Sequence, residues 1–393
     1  MKVPLLDLRP QLNQLRSEIL ESVTNVIDST RYIQGPEVEA LEQEIARYSS
    51  ADFGIGVSSG TDALLVSLMS LGVGPGDQVL TTPYSFFATM GVVLRLGATP
   101  VFADIDPVSY NIDPDQIDRI LDEDTEKKIK AVIPVHLYGQ CADMGKILSI
   151  TKKYGVPVVE DAAQAIGAEA PVSNSPSADW AKAGSLGIAG CFSFFPSKNL
   201  GGIGDGGMVV SQDSDFAEKT RLLRNHGAHP KYYHALVGGN FRLDPIQATV
   251  LRIKLKHLES WHRLRIKNAL FYNECLQSSD LLKNGFVTPP QAVYQQEAEK
   301  ADGDRNYHIY NQYIIRVKKR NELRDWLTSK EIGTEIYYPL ALHQQECLKD
   351  TVQHTPLANA EKAAEETLAL PIYPELTRNM QEYVVKSIAD FFR

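Results

Sequence analysis

Lys198 sits inside CFSFFPSKNLGGIGDGG, residues 191–207, with an aromatic run before it and a glycine-rich run after it. An amine held against an apolar wall loses hydration, which lowers its pKa and makes it a nucleophile. The glycines let the backbone pass close to a bulky planar group. For any single lysine, an exposed loop position is the plainer alternative. In VVEDAAQAIGA, residues 158–168, Glu160 and Asp161 end an apolar run. A carboxylate there either caps the next turn or holds a buried cation such as a protonated ring nitrogen. In SSGTDAL, residues 58–64, Ser59, Gly60 and Thr61 stand at a strand-to-helix turn. Free backbone N–H groups, a hydroxyl and the positive helix end meet at that point and suit a phosphate. An ordinary helix cap by Ser59 or Thr61 is the competing explanation. Ser193, five residues before Lys198, could bond the same phosphate.

Taken together, a phosphate grip, a carboxylate for a ring nitrogen and a lysine are the three contacts that pyridoxal phosphate (PLP) requires. One motif points elsewhere. Gly56-Val57-Ser58-Ser59-Gly60 fits G-x-S-x-G, the nucleophile elbow of hydrolases, with Ser58 as nucleophile. A strand precedes it and a helix follows, as an elbow needs. An elbow strand, however, usually has several strands before it, and this would be the first.

These residues need elements to hold them. Leu12, Leu15, Ile19, Val23 and Ile27 recur at helical spacing, and Gly35-Pro36 breaks this first helix from a second. A strand–helix rhythm follows. FGIGV, DQVLTTP, TPVFADI, IKAVIPV and VPVVEDA are short apolar runs separated by helical patterns such as TDALLVSLMSLG and YSFFATMGVVLRLG. That alternation predicts an α/β fold with a mostly parallel sheet covered on both faces, whose ligands sit at the carboxyl ends of the strands. After about Gly207 the rhythm changes. DPIQATVLRIKLKHLESWHRLRIKNALFYNECL reads as one long helix able to bridge two domains. YNQYIIRV, RNELRDWLTSKEIG and TEIYY then predict strand, helix and strand in a smaller α+β unit. We expect a large domain over residues 1–250 and a bridging helix with a small domain over 251–393. Two polar stretches, 169–187 and 291–306, read as surface excursions or lids.

Composition bounds the partners. The 393 residues are 23% charged and 43% hydrophobic, an ordinary balance for a globular chain, and carry a net charge of -9. That sign disfavours broad binding to nucleic acid or anionic membrane. Cys141, Cys191, Cys275 and Cys347 are scattered without metal-type spacing. They read as free thiols of a reducing cytoplasm. No apolar run is long enough to span a bilayer, and MKVPLLDLRP does not resemble a secretory leader.

SSGTDALLVSLMSLGVGPGDQV, GATPVFADIDPVSYNIDP, IPVHLYGQCADM, VVEDAAQAIGA, CFSFFPSKNLGGIGDGGMVV, RNHG and GGNFRLDPIQATVL occur in that order along nearly the whole chain. Together they closely resemble the DegT/DnrJ/EryC1/StrS family of PLP-dependent nucleotide-sugar aminotransferases, which have the aspartate-aminotransferase fold (type I). The resemblance implies that Lys198 binds the cofactor covalently and that Asp161 pairs with its ring nitrogen. It implies Gln164 beside the ring, Gly60, Thr61 and Ser193 on the phosphate, and Phe86 stacked on the cofactor. It further implies that Asn240 reaches the phosphate of a neighbouring subunit and Arg242 the sugar, hence a homodimer with shared active sites. His308, Tyr310, Tyr338 and His343 resemble substrate-side positions, with local packing as the alternative for each. The implied reaction moves an amino group from L-glutamate to a keto-sugar linked to dTDP or UDP. PVHLYGQ, HIYNQY and YYPLALHQQECL look most like members that aminate C3 rather than C4. A related branch that replaces the lysine with histidine performs dehydration, and here the lysine is present. Stretches 169–187 and 291–306 are longer than the family usually has, which leaves the exact sugar open. A non-catalytic PLP-binding regulator is a further alternative.

Overall fold

The computed structural model describes residues 1–172, 179–301, 305–349 and 357–393. Strands β1 (Phe53–Val57), β2 (Gln78–Thr81), β3 (Thr99–Phe102), β4 (Ile129–Ile133) and β5 (Val159–Asp161) follow one another with helices between them. A short hairpin, β6 (Glu169–Pro171) and β7 (Trp180–Lys182), precedes β8 (Ala189–Ser193) and β9 (Gly207–Ser211). Strand β2 pairs parallel with β3 and β4, and β5 pairs parallel with β8. Single parallel bridges, Val132 to Val158 and Val135 to Asp161, join the two groups side by side. Strands β1 and β9 close the far edge antiparallel, in the order β1-β9-β8-β5. The sheet is therefore mixed and mostly parallel, as the α/β reading predicts. The departure is at β9, which runs antiparallel to both of its neighbours, β1 and β8, so that β1 keeps the direction of the parallel strands. Periodicity reports burial and not strand direction, so the sequence could not show this.

The helix Gly60–Leu71 carries apolar residues almost all round, and Ala63, Leu64, Leu65 and Val66 are all buried. Such a helix must be covered on every side. It packs on β8 and β9 and against the helices Ala88–Arg95 and Ser214–Arg224. Ser59 caps its start by accepting from the Asp62 N–H at 3.0 Å, and Gly72, at φ 77°, ends it.

Two further expectations change. The long helical pattern is two helices, Pro245–Leu255 and Leu258–Gln277, parted at Lys256 and His257. TEIYY is not a strand but an extended segment with one bridge, Glu335 to Ala369. The C-terminal sheet consists instead of β10 (Tyr313–Arg316) and β11 (Thr367–Leu370), paired antiparallel. Around it lies a separate core of Tyr272, Tyr313, Ile315, Leu323, Leu368 and Val384, which Val3 joins from the chain's start. Of the two polar stretches, 173–178 and 302–304 fall outside the described residues; the remainder form the β6–β7 hairpin and the helix Gln295–Lys300.

Candidate active site

A cavity of about 610 Å³ opens where the carboxyl ends of the parallel strands meet the C-terminal unit. Its wall includes Gly60, Thr61, Phe86, Asp161, Gln164, Ser193, Lys198 and Tyr338. Residues far apart in sequence thus face one space, which sequence alone can suggest but not display.

The loop after β8 delivers Lys198. Phe194 and Leu200 are buried on either side of it and anchor the loop in the core. Asn199 donates to the Ile309 carbonyl at 3.1 Å, and buried Lys254 donates to the Gly201 carbonyl at 2.6 Å. Gly201 cannot be larger, because a Cβ there would lie 2.3 Å from the Pro196 carbonyl oxygen. The Lys198 ammonium has no hydrogen bond or ion pair among the described residues. Burial lowers its pKa to about 8, an effect that the charge of Asp161 partly opposes.

Asp161 ends β5 and is buried. Its carboxylate accepts from the Thr89 hydroxyl at 2.8 Å and from the Ala163 N–H at 3.2 Å. Burial raises its pKa, while these two donors and the charge of Lys198 pull the other way. A carboxylate held by two donors, without an ion pair among the described residues, can still take a cationic partner. Glu160, its neighbour, points to the opposite face, as strand alternation requires. There it accepts from His136 at 2.8 Å and from the N–H groups of Gly184, Leu186 and Gly187 at 2.8, 2.7 and 2.6 Å. Glu160 thus ties the β7–β8 loop to β5.

The third part is a small cup. Gly60 and Thr61 are the first residues of their helix, so their N–H groups have no acceptor within it. Ser193 closes the other side, and a Cβ on Gly60 would lie 2.6 Å from the Ser193 Cβ. Gly207 is equally confined, since its Cβ would meet the Ser59 carbonyl oxygen at 2.4 Å. The two glycines let the end of β8 and the helix start approach closely enough to form an anion-sized cradle.

The remaining positions divide. Phe86 is 57% exposed and faces Tyr338, ring centroids 6.3 Å apart. Gln164 donates to the Tyr338 hydroxyl at 3.0 Å. Asn240 is exposed outside the cavity. Arg242 donates to Asn225 at 2.7 Å, and its buried Nε has no partner among the described residues. His308, Tyr310 and His343 do not line the cavity. The His308 and Tyr310 rings stack at 3.9 Å inside the protein, and burial lowers the His308 pKa to about 3. His343 is buried against Glu361, at 2.9 Å. Local packing and pairing account for these three side chains. The Ser58 hydroxyl donates to Asp62 at 2.7 Å, with no histidine base bonded to it among the described residues. The elbow reading fails on that geometry. Sequence reasoning missed Thr89, although Ser85 and Thr89 stand one helical turn apart and share a hydrogen bond of 3.0 Å. It also missed the acids Asp205 and Glu335 on the wall.

The family model described as the DegT/DnrJ/EryC1/StrS aminotransferase family matches residues 13–389. The chain belongs to that family. It is an aminotransferase, its fold is the α/β architecture of these PLP-dependent enzymes, and its cofactor is PLP. It is similar to the "Pleiotropic regulatory protein" of Geobacillus stearothermophilus, with 46% identity over 100% of this chain and 99% of the relative. It is also similar to the "UDP-N-acetyl-3-dehydro-alpha-D-glucosamine 3-aminotranferase" of Acidithiobacillus ferrooxidans, with 40% identity over 95% of this chain and 94% of that protein. Among solved structures, S. venezuelae DesV in complex with a ketimine intermediate matches with a TM-score of 0.88 and 36% identity, over 99% of this chain and 98% of DesV. The cavity of this aminotransferase fits its cofactor on three counts: an anion cradle, a buried carboxylate able to take a cation, and an amine of lowered pKa.

Proposed function

We propose that this aminotransferase moves an amino group from L-glutamate to the 3-keto group of a hexose carried on UDP or dTDP. The observation that carries this reading is the gathering of Lys198, Asp161 and the Gly60–Thr61–Ser193 cradle in one cavity. The C3 preference draws on the relative named as a 3-aminotransferase. When bound, the cofactor supplies an electron sink for the bonds at the amino-bearing carbon. Asp161 would keep the ring nitrogen protonated. The Gly60 and Thr61 N–H groups and Ser193 would hold the phosphate. Lys198, whose neutral fraction grows as burial lowers its pKa to about 8, would in its neutral form accept the proton from the donor's α-carbon and return one as general acid. Phe86 would stack on the ring, with Gln164 beside it. Asn240 and Arg242, exposed or half-exposed in the single chain, serve a neighbouring subunit, so the enzyme works as a homodimer with shared sites. We place the product in amino-sugar synthesis for surface polysaccharide, made in the cytoplasm; among the described residues no helix is long and apolar enough to cross a membrane.

The test is a panel of UDP- and dTDP-linked 3-keto and 4-keto sugars offered to enzyme first treated with L-glutamate. Turnover of a 3-keto sugar is expected; turnover confined to 4-keto sugars would move the enzyme to the other branch. The relative named as a regulator favours one further reading, a PLP-binding protein without turnover. The placement of Lys198 and Asp161 argues for catalysis, and failure with glutamate would reverse that judgement.

A further inference from the structure

Tyr84 and Tyr138 lie behind the cavity wall and are fully or almost fully buried. The peptide group joining Tyr337 to Tyr338, both wall residues, is held at each of its polar atoms by these two phenols. Its carbonyl oxygen accepts from the Tyr84 hydroxyl at 2.7 Å and from the Tyr138 hydroxyl. Its N–H donates to the Tyr84 hydroxyl oxygen at 3.1 Å. The protons can be assigned. Thr367 donates its own hydroxyl proton to the Ala363 carbonyl at 2.8 Å, so it faces Tyr84, at 2.7 Å, as an acceptor. Both phenol protons are therefore shared: that of Tyr84 among Thr367, Tyr337 and, at 3.4 Å, the Ala363 carbonyl, and that of Tyr138 between the Tyr337 carbonyl, its shorter contact, and the Tyr84 oxygen at 3.1 Å.

Tyr138 is tied to the wall at every polar atom it has. Its N–H donates to the Gln164 side chain at 2.7 Å, its carbonyl accepts from the Gln312 N–H at 3.4 Å, and its hydroxyl meets Tyr337 and, at 3.1 Å, the Tyr84 hydroxyl. Gln164, Gln312 and Tyr337 all line the cavity. Gln164 then donates to the Tyr338 hydroxyl at 3.0 Å, which closes a ring of contacts. Tyr138 adopts left-handed backbone angles, φ 60° and ψ 4°, which an L-residue with a bulky side chain rarely keeps without several contacts to hold it. Burial pushes both phenols above their ordinary pKa, so both remain protonated donors at neutral pH.

We propose that Tyr138, assisted by Tyr84, is a positioning residue that fixes the Tyr337–Tyr338 wall on Gln164 and so sets the fit of the amino acceptor. The acceptor's identity as a keto-sugar rests on the function proposed above. The experiment compares the Tyr138→Phe, Tyr84→Phe and Tyr313→Phe holoenzymes. Tyr313 is the control, since its phenol donates to Asn273 at 2.6 Å in the C-terminal core, and neither residue lines the cavity. Tyr138→Phe should raise KM for the keto-sugar about ten-fold, the equivalent of one buried hydrogen bond. The half-reaction with L-glutamate should stay within about two-fold. Amide hydrogen exchange in peptides covering 334–342 should quicken about ten-fold in the Tyr138→Phe and Tyr84→Phe variants and stay unchanged in Tyr313→Phe. Unchanged KM and exchange in both cavity-side variants, or equal changes in Tyr313→Phe, would overturn the proposal. If the wild type accepts amine from glutamate but passes it to no keto-sugar, the substrate reading fails, and the exchange result still decides the role of Tyr138.

Discussion

At the scale of the residue, the account depends on one amine and one carboxylate. Only neutral Lys198 attacks a carbonyl carbon, and its neutral fraction rises with pH. With the pKa lowered to about 8, capture of PLP by the cofactor-free protein should rise through a midpoint near pH 8, and not near the ordinary lysine value of 10.5. Stopped-flow absorbance against pH reads this directly. Asp161 raises that pKa, so Asp161→Asn should move the midpoint lower. The same change removes the charge that keeps the ring protonated, and turnover should fall on the order of 100-fold or more. Ser58→Ala should leave turnover nearly unaltered, because among the described residues that hydroxyl bonds only Asp62. Lys198 and Asp161 were legible because each breaks an apolar run with a charge, a local signal. Thr89, the donor to Asp161, was not, since a threonine in a helix carries no such mark. His308 and Tyr310 show the converse. Polar aromatic residues in a row look functional, and only packing reveals that their rings stack on each other.

At the scale of the element, the cradle depends on how closely a helix start meets a strand end. Gly60→Ala would favour the helix but would put a methyl group 2.6 Å from the Ser193 Cβ. Overpacking of this kind costs about 1–3 kcal/mol. PLP affinity should accordingly fall roughly 10- to 100-fold, as equilibrium titration would measure. Most elements were readable from period and punctuation: Gly72 ends its helix and Gly35-Pro36 starts another. Direction and interruption were not. Strand β9 runs antiparallel to both β8 and β1, the latter more than a hundred residues earlier in the chain. The long helical pattern breaks at Lys256 and His257, where neither glycine nor proline marks the break. The start of YSFFATM reads as helix, yet Tyr84 to Phe87 precede the helix Ala88–Arg95 and include part of the cavity wall.

At the scale of the whole molecule, a single chain gathers the covalent centre but leaves Asn240 exposed and outside the cavity. Around it, Tyr232, Tyr233 and Val237 are 79%, 71% and 92% exposed, an apolar surface that a second copy would cover. Shared sites have an arithmetic consequence. Mixing Lys198→Ala with Asn240→Ala protomers should build one intact site in each hybrid dimer, which restores roughly a quarter of wild-type activity. Mixtures as inactive as the separate variants would place each site within one chain.

The most direct measurement is the visible absorption spectrum of the purified, PLP-loaded protein before and after addition of L-glutamate. A yellow band from cofactor joined to Lys198 is expected, absent in Lys198→Ala and converted by glutamate to the pyridoxamine form. A band of that character that survives in Lys198→Ala, or one that glutamate leaves unmoved in the wild type, would contradict that expectation.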